Sequence, residues 1–221
     1  MEGQLQHVAE QLASPRSPTV TMESCQQLTA LIVANPSEEW NATVSKLIIH
    51  RLLPHVTAAN GCKAPAETEN VAAARTAITA LCAIASHGLA STSDELANQG
   101  AVSAAISTAQ AALLPDALSA SEEAFQMATA ITRGALLPII RDQSAAKILA
   151  RTRDAAAQPP FLALTTLGAM ALDCCDSSVA TALTPAAVVL LLSVLQCVHA
   201  VLSHGSLELL KACCQAGMHQ F

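Results

Sequence analysis

Thr79-Ala80-Leu81-Cys82-Ala83-Ile84-Ala85 is the stretch on which the fold turns. It continues a stripe begun at Val71, Ala74 and Ile78, so apolar side chains recur at intervals of three and four, the period of an α-helix. Gly88 follows as a stop. Related segments stand at Thr29-Ala30-Leu31-Ile32-Val33-Ala34 and at Thr166-Leu167-Gly168-Ala169-Met170-Ala171. Leu81 and Leu167 are 86 positions apart, two steps of 43. Recurrence of a helical motif at such a period is the mark of stacked repeats.

Composition agrees with helices. Of 221 residues 52% are hydrophobic, enough to bury a substantial core, and alanine and leucine dominate. Tyrosine is absent, and Trp40, Phe125, Phe161 and Phe221 are the only aromatic residues. Strands would call for β-branched and aromatic residues in alternation, a pattern not found here. The chain therefore reads as one all-α domain over 1–221, with N-terminal helices in 1–60, the clearest repeats in 68–134, and further repeats in 135–221.

Proline, glycine and capping residues divide it into about ten helices. One runs from about Gln4 to Ala13 and stops at Ser14-Pro15-Arg16-Ser17-Pro18; the next covers about Thr21 to Ala34. Ser37-Glu38-Glu39 opens a third, whose stripe Val44, Leu47, Ile48, Leu52 and Val56 continues until Pro54 kinks or ends the helix. Beyond the helix ending at Gly88, others are expected at about Ser93 to Asn98, Val102 to Leu114, Ser121 to Arg133, Leu136 to Ala156, Phe161 to Leu172, Pro185 to Leu202 and Ser206 to Ala216.

Ala80-Leu81-Cys82-Ala83-Ile84-Ala85 followed by Leu96-Ala97-Asn98-Gln99-Gly100-Ala101-Val102 resembles the third-helix ending and next-repeat opening of armadillo repeats, and Leu210-Lys211-Ala212-Cys213-Cys214-Gln215-Ala216-Gly217-Met218 is similar to the same opening. HEAT-like repeats are the near relative of this pattern. The resemblance implies a right-handed α-solenoid of about four armadillo-like units, whose third helices line a groove that grips peptides or partner subunits. Armadillo proteins that grip basic targeting peptides carry a ladder of Trp and Asn on those helices. Trp40 and the five asparagines of this chain lie elsewhere, which argues against nuclear-import cargo.

The expected function is accordingly non-catalytic: a protein-protein interaction module or scaffold subunit of a larger hetero-complex, with no cofactor. Neither a Gly-x-Ser-x-Gly elbow nor a glycine-rich phosphate loop occurs. The acid pairs Glu38-Glu39, Asp94-Glu95 and Glu122-Glu123 each stand at an expected first helical turn, where the helix dipole favours negative charge. The alternative is a helical metal protein or enzyme built on the last third, where Cys174, Cys175, Cys197, His199, His204, Cys213, Cys214 and His219 gather. No Cys-x-x-Cys knuckle supports it, and adjacent cysteines on a helix point about 100° apart, so core filler is the preferred account and no metal is expected.

The net charge of −6 excludes a nucleic-acid footprint. Five of the eleven cations nonetheless fall within one stretch, Arg133, Arg141, Lys147, Arg151 and Arg153, with Lys147 and Arg151 on one helical face. They are the candidate contact for an acidic partner segment or a cytoskeletal, tubulin-like surface, with a solvated face as the plainer reading. Ser14-Pro15 and Ser17-Pro18 read either as proline-directed phosphorylation sites or as an interhelical turn. The polar start lacks a signal peptide, so cytoplasmic residence is expected, with the eight cysteines reduced. The apolar run 186–202 is short for a membrane span and has no flanking positive charge, so a helix buried on all sides is expected there and no membrane span.

Overall fold

A computed structural model describes residues 2–14, 17–35, 37–58, 68–88, 90–113, 122–143, 147, 164–170, 172 and 185–215, and among these residues the fold is helical with no strand. Local chemistry sets most of the boundaries. Ser17 links α1 (Glu2–Ala13) to α2 (Pro18–Ala34): its side chain accepts the Val20 N–H at 3.3 Å, and Pro18 takes a first-turn position where no N–H is needed. Ser37 caps α3 (Glu38–Leu47) in the same way by accepting from the Trp40 N–H, which leaves Glu38 and Glu39 in the first turn as the sequence predicts.

The break before α4 (Ile49–Thr57) falls at Ile48, not at Pro54, which sits inside the helix. Pro54 removes only the bond to the His50 carbonyl, and both residues lie on the exposed face, where water can serve that oxygen. α5 (Thr68–His87) buries Ala74, Ile78, Leu81 and Ala85, the stripe read from the sequence. It ends at Gly88, where a β-carbon would stand 2.9 Å from the Thr92 side chain. α6 (Ala90–Asn98) starts earlier than expected, so Asp94-Glu95 lie in its middle and not in its first turn. Their partners are side chains instead: Asp94 pairs with Lys147, and Glu95 accepts from Gln99 Nε2 at 2.6 Å. Gly100, at φ +84°, makes the sharp turn into α7 (Ala101–Leu113).

The central helix differs most from expectation. α8 (Glu122–Ile131), a π-helical turn (Thr132–Leu136) and α9 (Leu137–Asp142) run on without the expected break between Arg133 and Leu136. Pro138 explains the widened turn: its ring would crowd the carbonyl of Gly134 four residues back, and it has no N–H to bond there. The Leu137 N–H reaches Thr132 O, closing the wider ring. Neighbouring helices serve the turned-out carbonyls. Ser86 Oγ donates to Gly134 O at 3.3 Å, the Cys82 thiol to Ala130 O at 3.5 Å, and the Cys197 thiol to Thr132 O at 3.7 Å. The helix expected over Leu136 to Ala156 ends at Asp142, because Gln143 is extended (φ −86°, ψ 145°).

Residues 164–170 and 172, within the helix expected over Phe161 to Leu172, are helical, and α10 (Pro185–Leu202) and α11 (Leu207–Gln215), joined through Gly205 at φ +65°, complete the described chain. Two sets of helices pack like on like. α2 lies on α5, α5 on α8 and the π turn, and the α8–α9 rod on α10; beside them α3 lies on α6 and α4 on α7. Fully buried alanines at Ala77, Ala80, Ala105, Ala109, Ala128 and Ala135 allow close helix approach. One apolar core runs continuously from Leu5 in α1 to Cys213 in α11. Long-range hydrogen bonds pin the layers: His55 Nε2–H donates to Leu12 O at 2.8 Å, and Thr108 Oγ1 to Val56 O at 3.2 Å.

α10 is not buried on all sides. Ala187, Leu190, Val194, Cys197 and Val201 face inward, while Val189, Leu192, Leu195 and Leu202 are exposed. With 18 residues and a mean hydropathy of 2.2, α10 is long and apolar enough to cross a membrane by length and composition alone. Its inward face packs on α8 and α9, and its outward face keeps Val189, Leu192, Leu195 and Leu202 open.

Candidate functional site

The side chains that open α10 to solvent also build a site. Leu192, Leu195, Gln196, His199 and Ser203 recur at three- and four-residue intervals and so share one face. Arg141, in the last turn of α9, stands across from them. Together with Ala200 and His204 these residues line a groove of about 580 Å³. His204 is held in place by its Nε2–H, which donates to Ile140 O at 3.2 Å, so in the neutral ring Nδ1 is left as an acceptor. Ser203 Oγ donates to His199 O at 2.7 Å.

Among the described residues no acid lines the groove. Arg141 also acts inward: its charge draws down the Cys197 thiol, which burial pushes up to about 12. That thiol is therefore protonated and is core, while Ser203 Oγ stands 3.5 Å from His199 Nδ1 at the groove surface.

Three residues of the predicted basic stretch lie among the described residues. Arg133 is exposed on the π turn, Arg141 is exposed at the groove, and Lys147 is paired with Asp94 of α6. Arg151 and Arg153 lie outside the described residues, as do Cys62, Cys174, Cys175 and His219. Among the described residues no three of His, Cys, Asp and Glu converge on a point that could hold a metal. Burial pushes Cys25 and Cys82, like Cys197, up to about 12, while Cys214 is exposed.

A second groove, of about 620 Å³, lies between α2 and α5 and is lined by Gln26, Thr29, Val33, Arg75, Thr76 and Thr79 among others. Val33 at its edge is 54% exposed. Both grooves open on the row formed by α2, α5, α8–α9 and α10. The sequence reading missed the groove residues of α10, although positions 192, 195, 196, 199 and 203 carry the helical spacing. The uniform apolarity between Ala186 and Leu202 hid their common face.

No protein-family model, no curated protein and no solved structure matches this chain.

Proposed function

We propose that the chain is a short right-handed α-solenoid of armadillo-like type, about four units long, and that it works as a non-catalytic protein-binding module or scaffold subunit. The observation that carries the reading is like-on-like packing: short helix on short helix (α3 on α6), middle on middle (α4 on α7), and long on long (α5 on the α8–α9 rod). Each proposed unit is a short, a middle and a long helix, and the long ones form the row on which both grooves open. A stack of this kind buries its apolar faces between neighbours and leaves an extended surface for partners. Exposed Leu192, Leu195, Leu202, Leu207 and Leu210 near one end, with only 13% charged residues in the chain, support a subunit whose surface is covered in its working state. In this reading Arg133, Arg141, Lys147, Arg151 and Arg153 contact an acidic or cytoskeletal protein partner in the cytoplasm, and neither nucleic acid, membrane nor cofactor is engaged.

Co-purification of the tagged full chain from its native source, with metal analysis of the same sample, tests this. The expected result is a stoichiometric protein partner, released by Arg133→Glu together with Arg141→Glu. Purification alone with stoichiometric zinc or iron would overturn the scaffold reading.

A further inference from the structure

We infer that the α9–α10 groove receives a short helical segment of a partner protein that carries acidic side chains beside one apolar face. This rests on the protein-binding reading above and names the ligand class. The groove has the two ingredients of helix-in-groove recognition. Apolar side chains at helical spacing, Leu192 and Leu195 with Ala200 between the walls, offer a surface for leucine-type anchors. Leu192 is 55% exposed and Leu195 beside it is also exposed, so apolar surface stands open at the groove. At about 580 Å³ the space suits a few inserted side chains and not a folded domain.

Charge decides between occupants. Among the described residues the polar lining is a guanidinium, two imidazoles, an amide and a hydroxyl, with no carboxylate, in a chain whose overall charge is −6. That local reversal of sign is complementary to an acidic segment. It does not favour an anionic lipid surface, which the rest of this acidic chain would repel. Arg141 reaches the groove from the last turn of a rigid rod and can meet a carboxylate with two parallel N–H groups. His199 in the last turn of α10 and Ser203 just beyond it face the same space and add polar groups along the line a helix would take.

The test is selection of displayed random 16-residue peptides on the full chain, followed by fluorescence anisotropy with the selected peptides. Enriched peptides should carry Asp or Glu next to leucine-like residues spaced three or four apart. Arg141→Glu and Leu192→Asp, both surface changes checked by circular dichroism for an unchanged fold, should each weaken binding at least tenfold, and Thr29→Glu in the other groove should not. Enriched peptides without acids, or affinities unmoved by both variants, overturn the inference. So does binding to phosphatidylserine vesicles, or self-association in sedimentation, that Leu192→Asp abolishes. Peptides sensitive only to Thr29→Glu remove this inference and leave the protein-binding reading standing. No enrichment on any surface removes both.

Discussion

Ser86 Oγ donates a hydrogen bond to the carbonyl of Gly134, 3.3 Å away, at the place where the normal i+4 donor would be Pro138, which has no N–H. The close contact that allows this also fills the space over Gly134: a β-carbon there would lie 2.7 Å from Cys82 Sγ and 2.9 Å from Cys82 Cβ. Gly134→Ala gains about 1 kcal/mol of helix propensity and incurs about 1–3 kcal/mol of overpacking against α5. Approaches under 3 Å place the cost in the upper half of that range, so the expected net effect is a loss of about 1–2 kcal/mol in urea unfolding, partly recovered when Cys82→Ala is added. Equal or higher stability of Gly134→Ala would show that α5 and the π turn are not in this contact.

The buried thiols predict a pH dependence. Burial raises Cys25 and Cys197 from 9.0 to about 12 in the folded chain, so folding favours the protonated form. Their contribution is complete below pH 9 and is lost as pH rises from 9 towards 12, at about 1.4 kcal/mol per pH unit for each thiol. Urea midpoints should fall between pH 8 and pH 10, with no tyrosine to confuse the titration. Cys25→Ala and Cys197→Ala should each flatten that fall. In the folded chain at pH 8 a thiol reagent should modify Cys214 and leave Cys25 and Cys197 untouched until denaturant is added.

Helical class and several helix boundaries were legible because they depend on neighbours in sequence: Ser37 as a cap, the Ala74 to Ala85 stripe, and the turn at Gly100. What was not legible depends on contacts between distant residues. Gly134 reads locally as a helix breaker, yet Ser86 and Cys82, 48 and more positions away, hold a continuous rod there. Asp94 reads as a first-turn acid and is the partner of Lys147. The groove was hidden for a related reason, since half its wall, Arg141, comes from a different helix than Leu192 and His199.

Ser17 separates a structural from a regulatory reading of Ser17-Pro18. Its side chain accepts the Val20 N–H as the cap of α2, while Thr21 Oγ1 donates to its carbonyl at 3.4 Å. Ser17→Ala should cost about 1 kcal/mol, and Ser17→Asp, which keeps an accepting oxygen at the positive end of the helix, should be close to neutral. Thermal melts of the two variants measure this. Equal loss in both would mean that the cap does not stabilise α2.

The two faces of α10 give the last prediction, and the one that bears on a membrane location. Leu190 is fully buried against α8 and α9, and Leu192, two positions on, is 55% exposed. If α10 is the amphipathic core helix of a folded domain, Leu190→Ala should cost about 2–5 kcal/mol and Leu192→Lys should stay within about 0.5 kcal/mol of the parent, with higher solubility. In a bilayer the order reverses: a lysine near the middle of the span costs about 2.5–3.5 kcal/mol on insertion, while Leu→Ala is mild. Expression of both variants without detergent, followed by urea unfolding, distinguishes the two. Extraction that requires detergent, with Leu192→Lys as the damaging change, would refute the soluble arrangement and with it the groove on this face.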